Sequence, residues 1–368
     1  MTTVVSRPIR TTRPRRVAAG GAVAGHASDY TELTRRVKAA GLLERRPGFY
    51  AIRVALLATA FAVATVLLVT LGHTWWQLLV AGLFGLLFTQ VGFLAHDGAH
   101  RQMFTSGKRN EWVSRVMANL VVGLSYGWWM HKHSRHHANP NTEGKDMDMD
   151  ANALVFTPRD AAARTGLAAV LMRKQGWFFF PVLTLTGLDL HVKSVRMLTA
   201  RGEVKHRVLE LALIAVRLIG FAALVIWAAG PVVGIAFLAV QVMVFGFTMG
   251  AAFAPNHKGM PLIDESQRVD YLRRQVLTSR NITGGWPVTL GMGGLNYQIE
   301  HHLFPSMPSI NLHRARPIVK GYCAELGVPY TEATLPGSWA IVVRYIHRVG
   351  LGAADPFDCP AAAALRTA

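Results

Sequence analysis

Histidine dominates the chemistry open to this 368-residue chain: it occurs fifteen times, and eight of those histidines fall into a pattern. His96 and His100 form H-x-x-x-H in HDGAH, and His133, His136 and His137 form H-x-x-H-H in HSRHH. His301 and His302 close QIEHH, and His257 stands in APNHKG. Residues three or four apart on a helix share a face, with Cβ atoms about 5–6 Å apart, so an i, i+4 histidine pair can grip one metal ion. In H-x-x-H-H the first histidine can pair with either later one. The adjacent pair diverges by about 100° and suits two neighbouring metals better than one. Imidazole suits zinc, copper, iron and nickel. A hydrolytic zinc site needs only three protein ligands and an open position, so eight imidazoles are too many for one ion and about right for two. Neutral imidazoles leave the metal charge uncompensated, which gives nearby acids a role. Asp97, Glu300 and the Asp146/Asp148/Asp150 run are candidates to accept a ligand's remaining ring N–H. His26, His73, His206, His313 and His347 are isolated, His131 lies outside the second cluster's spacing, and His191 in LDLH is an intermediate case.

The clusters need rigid supports, and the apolar residues supply them. Hydrophobic residues make up 51% of the chain and charged residues only 16%, and the apolar ones are blocked into long runs. About twenty apolar residues cross a bilayer core as a helix. Four runs qualify: Val54 to Leu71, Trp75 to Ala95, Val208 to Ala228 and Pro231 to Ala254. The first two are separated by Gly72, His73 and Thr74, and the last two by little more than Gly230, so the pattern predicts two tight helical hairpins. Residues 1–53 carry eleven Lys or Arg and the hairpin tips none, which places both termini and the middle loop, 96–206, on the cytoplasmic side. All eight clustered histidines then share that side. The expected organisation is a basic cytoplasmic N-terminal tail (1–50), a membrane domain (51–254) whose loop bears the first two clusters, and a cytoplasmic C-terminal region (255–368) bearing the third. Trp112–Trp129 and Trp177–Leu190 are apolar enough to lie in the interface. Arg217, inside the third span, must face the bundle interior or snorkel.

Composition also excludes function classes. The net charge of +18 sits beside the apolar runs, which favours anionic lipid headgroups, or a phosphate-bearing substrate, over nucleic acid. Cys323 and Cys359, the two cysteines, form no paired motif for an iron–sulfur centre. No G-x-G-x-x-G is present for a flavin or nicotinamide domain. A histidine-lined metal transporter or a haem-binding membrane cytochrome would place histidine inside the spans, and these four runs contain none. No secretory signal is visible, and Thr2–Arg16 reads as a disordered basic segment.

HDGAH, HSRHH followed by ANPN, and GGLNYQIEHHLFPSMP together resemble the membrane fatty acid desaturase family, in the group with Gln in place of the first His of the third box. That group contains acyl-lipid and front-end enzymes, and the chain also looks similar to linoleoyl-CoA-type and acyl-CoA desaturases of actinobacteria. The resemblance covers most of the chain after about residue 50. It implies an all-α membrane protein: four transmembrane helices in two hairpins under a cytoplasmic helical cap that carries a histidine-rich di-iron site, in a bacterial plasma membrane. It further implies removal of two hydrogens from adjacent methylenes of an acyl chain, carried by CoA or by a lipid, with O₂ and two electrons consumed per turnover. Carried over by position, the metal ligands are His96, His100, His133, His136, His137, His257, His301 and His302, with no catalytic residue beyond them. Gln298 occupies a ligand position of the His-type box, and Asn256 is a candidate for a water-mediated contact. Relatives with the Gln-type box often carry a fused cytochrome b5 domain with an H-P-G-G motif. None occurs here, so a separate donor is expected: a ferredoxin, a flavoprotein reductase or a cytochrome b5-like protein. Hydroxylation, ketolation or acetylenic bond formation on the same scaffold is the alternative, and the position of the reaction on the chain depends on a tertiary quantity.

Overall fold

The computed structural model describes residues 28–150, 153–353, 355–357 and 359–367, so the basic segment 2–16 and His26 lie outside the described residues. The chain forms α1 (Asp29–Ala39), α2 (Pro47–Thr70), α3 (Gln77–Ala99), α4 (Gly107–Val116) and α5 (Tyr126–Ala138). Two short helices, α6 (Pro158–Ala162) and α7 (Gly166–Met172), lead to α8 (Gln175–Thr199), α9 (Arg207–Ala229) and α10 (Pro231–His257). The remainder is α11 (Tyr271–Leu277), α12 (Gly285–Gly291), α13 (Gln298–Leu303), α14 (Ser309–Glu325), α15 (Leu335–Gly350) and α16 (Pro360–Thr367). The expected all-helical composition has one exception. β1 (Asn281–Thr283) and β2 (Glu332–Thr334) pair in parallel, with Asn281 opposite Glu332.

Among the described residues four helices, α2, α3, α9 and α10, are long and apolar enough to cross a membrane. They match the four runs in the sequence but reach further. Pro47 opens α2 seven residues before the expected start, at the first helical turn where its missing N–H costs nothing. α3 continues through His96 to Ala99. α10 runs on through Pro255 to His257, because the carbonyl that the proline strands, and one left open where the helix ends, are met from outside. Trp339 Nε1 donates to Ala251 O (3.2 Å), the carbonyl whose helical partner Pro255 lacks, and Arg280 Nε donates to Pro255 O (2.9 Å).

The helices differ in what they bury. α2 buries only Tyr50, Ala64 and Leu68 and turns Ile52, Leu56, Val63 and Val66 outward, as suits a helix against lipid. α3 is mostly enclosed, and α10 packs against α3, α8 and α9. Contact between α8 and α10 is made backbone to backbone. A Cβ on Gly246 would lie 2.3 Å from Gly187 N, so neither position admits a side chain. Within the N-terminal region, residues 29–42 fold as α1 and its exit. Leu33, Val37 and Leu42 pack with Leu272, Val276, Ile299, Leu303 and Leu312 in a core under α13.

Between α4 and α5 the chain makes a π-helical segment, Met117–Val122, closed by Gly123 at φ +92°. A Cβ on Gly123 would also meet His191 Nε2 at 3.2 Å. The segment's terminal carbonyls are bound by two side chains from other helices: Arg217 Nε donates to Val121 O (2.6 Å), and His191 Nε2 lies 3.3 Å from Val122 O. Arg217 therefore faces the interior, 8% exposed, with its guanidinium 4.0 Å from the Phe88 ring and 4.3 Å from the Phe221 ring. Just beyond, Ser125 caps α5 by accepting from Trp128 N (3.0 Å). Glu210, fully buried at the start of α9, accepts from Ser125 Oγ (2.5 Å) and Gly127 N (3.2 Å) and pairs with Arg115. These contacts fix where α5 begins and hence where its last turns aim.

Candidate metal centre

Four helix ends converge. His96 lies in the last turn of α3 with His100 capping it, His133, His136 and His137 occupy the last two turns of α5, His257 ends α10, and α13 carries His301 and His302. The eight side chains form two groups. In each, the ligand atoms lie within 4.8 Å of one another: His96, His100, His133, His137 and His301 in one, His136, His257 and His302 in the other. Both adjacent pairs, His136–His137 and His301–His302, divide between the groups, the outcome that a turn of about 100° per residue requires. His133 pairs with His137, four residues on, rather than with His136.

The donor set suits metal ions. His100 Nε2 and His133 Nε2 lie 2.7 Å apart, His137 Nε2 and His301 Nε2 3.2 Å, and His136 Nε2 and His257 Nε2 3.3 Å. Two imidazole nitrogens on one metal at about 2.1 Å and a right angle would be separated by about 3 Å. Both ring nitrogens of His96, Nδ1 of His137 and His301, and Nε2 of His302 are buried with no hydrogen-bond partner among the described residues. Burial, and then the neighbouring imidazoles, hold His100, His133, His137, His301 and His302 well below the usual histidine pKa, so at neutral pH they are the neutral bases a metal needs. The three-histidine group is the better oriented. His136 Nδ1 faces Asp146 Oδ2 (2.9 Å), His257 Nδ1 faces Thr278 O (3.0 Å), and His302 Nδ1 faces Gln275 Oε1 (2.9 Å). All three therefore carry the proton on Nδ1 and turn a bare Nε2 inward.

Charge compensation follows the same logic. α3, α5 and α10 present their C-termini, the negative ends of their dipoles, to the centre. Asp146 and Asp148 lie behind His136, 2.9 and 3.3 Å from its Nδ1. Against the lowering effect of burial, these carboxylates pull the His136 pKa upward. Asp148 also pairs with Lys132.

Two expected acids do something else. Asp97 Oδ1 is 3.5 Å from His96 Nδ1, too far to hold it, and Asp97 Oδ2 accepts from Ser309 Oγ (2.7 Å). Glu300 accepts from Asn281 Nδ2 (2.7 Å) and Tyr330 OH (2.6 Å), and burial lifts its carboxyl to about 7. Asp97 immediately follows His96 and Glu300 immediately precedes His301, and that one-residue offset points each to another face. Asn256 and Gln298 reach the three-histidine group: Asn256 Nδ2 donates to Gln298 Oε1 (2.9 Å), and Gln298 Nε2 is 2.9 Å from His257 Nε2. His131 and His191 belong to neither group.

Sequence reading missed Gln275 and Thr278, which lie far from any histidine cluster and carry no local signal. It also missed Trp129, whose ring stacks on His133 (centroids 4.2 Å, 24°). The four-residue spacing of Trp129 and His133 was the available sign.

The model of the fatty acid desaturase family matches residues 73–334, an interval that contains every helix end just described. The chain belongs to the fatty acid desaturase family. It is thus an oxygen-dependent oxidoreductase that acts on fatty acyl chains, associated with membranes through its apolar helices. Among its relatives, the Delta(5) fatty acid desaturase fat-4 of Caenorhabditis elegans is 29% identical over 86% of this chain and 72% of that protein. The acyl-lipid (9-3)-desaturase of Physcomitrium patens is 30% identical over 75% of this chain and 54% of that protein. The Delta(6)-fatty-acid desaturase fat-3 of C. elegans is 27% identical, and the desaturase described here spans 60% of its length.

Proposed function

We propose that this desaturase holds two iron ions, one in the group of His96, His100, His133, His137 and His301 and one in the group of His136, His257 and His302, and inserts a double bond into a CoA- or lipid-linked acyl chain. The observation that carries this reading is the division of both adjacent histidine pairs between two groups. An unactivated methylene has no acidity for a side chain to exploit, so the iron centre supplies the oxidising power. The overall change balances as –CH₂–CH₂– + O₂ + 2 e⁻ + 2 H⁺ → –CH=CH– + 2 H₂O. The protein's own part is positional. The four helix ends fix the imidazoles, Asp146, Thr278 and Gln275 hold the Nδ1 protons in one group, and the Trp129 ring shields His133.

The spans form two hairpins with the histidines and both termini on the cytoplasmic side. This orientation rests on the eleven Lys or Arg in residues 1–53 and on the lack of any at residues 71–76 or at Gly230. The basic cytoplasmic face takes anionic lipid and receives electrons from a separate carrier: a ferredoxin, a flavoprotein reductase or a cytochrome b5-like protein. The test combines metal analysis of the purified chain with gas chromatography–mass spectrometry of fatty acids from an expressing host. About two irons per chain and a new olefinic acyl chain are expected, the olefin disappearing in His137→Ala. Stoichiometric zinc in an active enzyme would refute the iron assignment, and a hydroxylated product would refute desaturation.

A further inference from the structure

The three-histidine group has fewer protein ligands than its neighbour, and one amide is aimed into it. Gln298 is 3% exposed, and its Nε2 lies 2.9 Å from His257 Nε2. His257 Nδ1 faces the acceptor-only carbonyl of Thr278, so His257 Nε2 carries no proton and keeps its lone pair for a metal. Which end of the Gln298 amide faces it is set from behind. Asn256, fully buried, places Nδ2 3.2 Å from Ala252 O, 3.2 Å from Leu295 O and 2.9 Å from Gln298 Oε1.

The two backbone carbonyls, sharing one N–H of Asn256, fix its amide and leave the other N–H for Gln298 Oε1. Its opposite orientation would set Oδ1 against two carbonyl oxygens, a worse arrangement than the single unpartnered Asn256 Oδ1 that the present one leaves. With Asn256 fixed as donor, Gln298 Oε1 is committed as its acceptor. Turning the Gln298 amide over would break that bond and oppose two NH₂ groups.

We propose that Gln298 is not a metal ligand but a hydrogen-bond donor, locked in that role by Asn256 and directed at the open coordination positions of the three-histidine site. An amide NH₂ has no lone pair to give a metal, but it stabilises a small anionic or oxygen ligand bound beside it. Where imidazole at this position would fill a coordination place, glutamine keeps the place open and supplies a donor to whatever occupies it. Asn256 acts through Gln298 as a positioning residue.

The inference rests on the two-metal reading, and the experiment separates the two. Iron per chain and azide affinity, the latter by optical titration of the oxidised full-length protein, are measured for wild type, Gln298→Leu and Asn256→Ala. Gln298→Leu is expected to keep the wild-type iron content and to bind azide roughly tenfold more weakly, the size of one lost hydrogen bond to a charged ligand. Asn256→Ala, which frees the amide to turn, is expected to weaken azide binding by a smaller factor. A fall to about one iron per chain in Gln298→Leu would show that Gln298 is a ligand and overturn the proposal, as would azide affinity within twofold of wild type. Should the leucine variant not fold, Gln298→Met, close in volume but without a donor or a charge, carries the same expectation: iron retained and azide weakened. A wild-type chain that holds no iron would overturn the two-metal reading, and this proposal with it.

Discussion

Asp146→Asn is the most informative single change, because it is isosteric and its cost can be worked from the contacts. Asp146 Oδ2 accepts from His136 Nδ1 (2.9 Å) and Asn141 N (2.8 Å), and Oδ1 accepts from Asp148 N (2.9 Å). An asparagine has one acceptor for these three donors. With its oxygen at the Oδ2 place it keeps His136 and Asn141 but sets NH₂ against Asp148 N–H. The opposite rotamer serves Asp148, opposes Asn141 N–H and drives His136 to the tautomer whose Nε2 is protonated. The first rotamer is therefore preferred, at the cost of the carboxylate charge behind His136 and one stranded backbone N–H. Losing such a partner outright lowers metal affinity about 10- to 100-fold, and losing its charge with the bond kept belongs at the lower end, about tenfold or about 1.4 kcal/mol. The assay is iron release to a competing chelator. On the proposed two-iron reading, the iron of the three-histidine group should leave faster by that factor, and Asp146→Ala should exceed Asp146→Asn. Asp264, exposed and with its side chain hydrogen-bonded among the described residues only to Ser266, provides Asp264→Asn as a silent control. Release from Asp146→Asn within twofold of wild type would refute the argument that this carboxylate orients His136.

Two further outcomes test the supports. Gly246→Ala puts a Cβ 2.3 Å from Gly187 N and should collapse the yield of folded protein in detergent, whereas Gly82→Ala, with nothing within 4 Å, should leave a fluorescence size-exclusion profile unchanged. Arg280→Met removes the donors to Pro255 O and Lys258 O (both 2.9 Å), and stranding two buried carbonyls should cost about 2–4 kcal/mol, read as a lower melting temperature together with easier iron loss from the site that His257 serves.

What the sequence disclosed follows the range of each interaction. Spans are legible because about twenty apolar residues in a row constitute a local signal, and the runs of α9 and α10 fall inside their helices while those of α2 and α3 overlap theirs, overrunning them only at Leu71 and at Trp75 and Trp76. The histidine pairs are legible because three- and four-residue spacings are local geometry. The parting of His136 from His137 follows from the turn per residue alone. What failed was adjacency used as a proxy for contact. Asp97 and Glu300 sit one residue from a histidine and face elsewhere, while Asp146, ten residues from His136 and beyond a turn, reaches it. Thr278 and Gln275 approach from α11 and its exit, and only the fold brings them to His257 and His302. Arg280 could not be found at all. The residue is 1% exposed and its guanidinium meets backbone carbonyls and the Met260 sulfur, and such partners leave no mark on sequence.

The two groups are unequally built, and their supports differ accordingly. α3 contributes only to the five-histidine group and α10 only to the three-histidine group, while α5 and α13 contribute to both. A displacement at the end of α10 therefore perturbs one site, whereas a displacement of α5 or α13 perturbs both at once and in different directions, since adjacent histidines project about 100° apart. This makes the anchors of α5 and α13 the sensitive ones. α5 is set by Ser125 and Glu210, and Glu210 is fully buried against Arg115. α13 is set by Asn281, which accepts from Ile299 N (2.9 Å) while donating to Glu300 and Tyr330. A six-residue helix such as α13 has little stability of its own. The buried Glu300–Asn281–Tyr330 knot supplies what that helix lacks, and the tie from Glu300 to the β1–β2 strands serves His301 and His302 better than a direct bond to either ring. Such a bond would have fixed one imidazole, and the knot fixes the backbone that presents both.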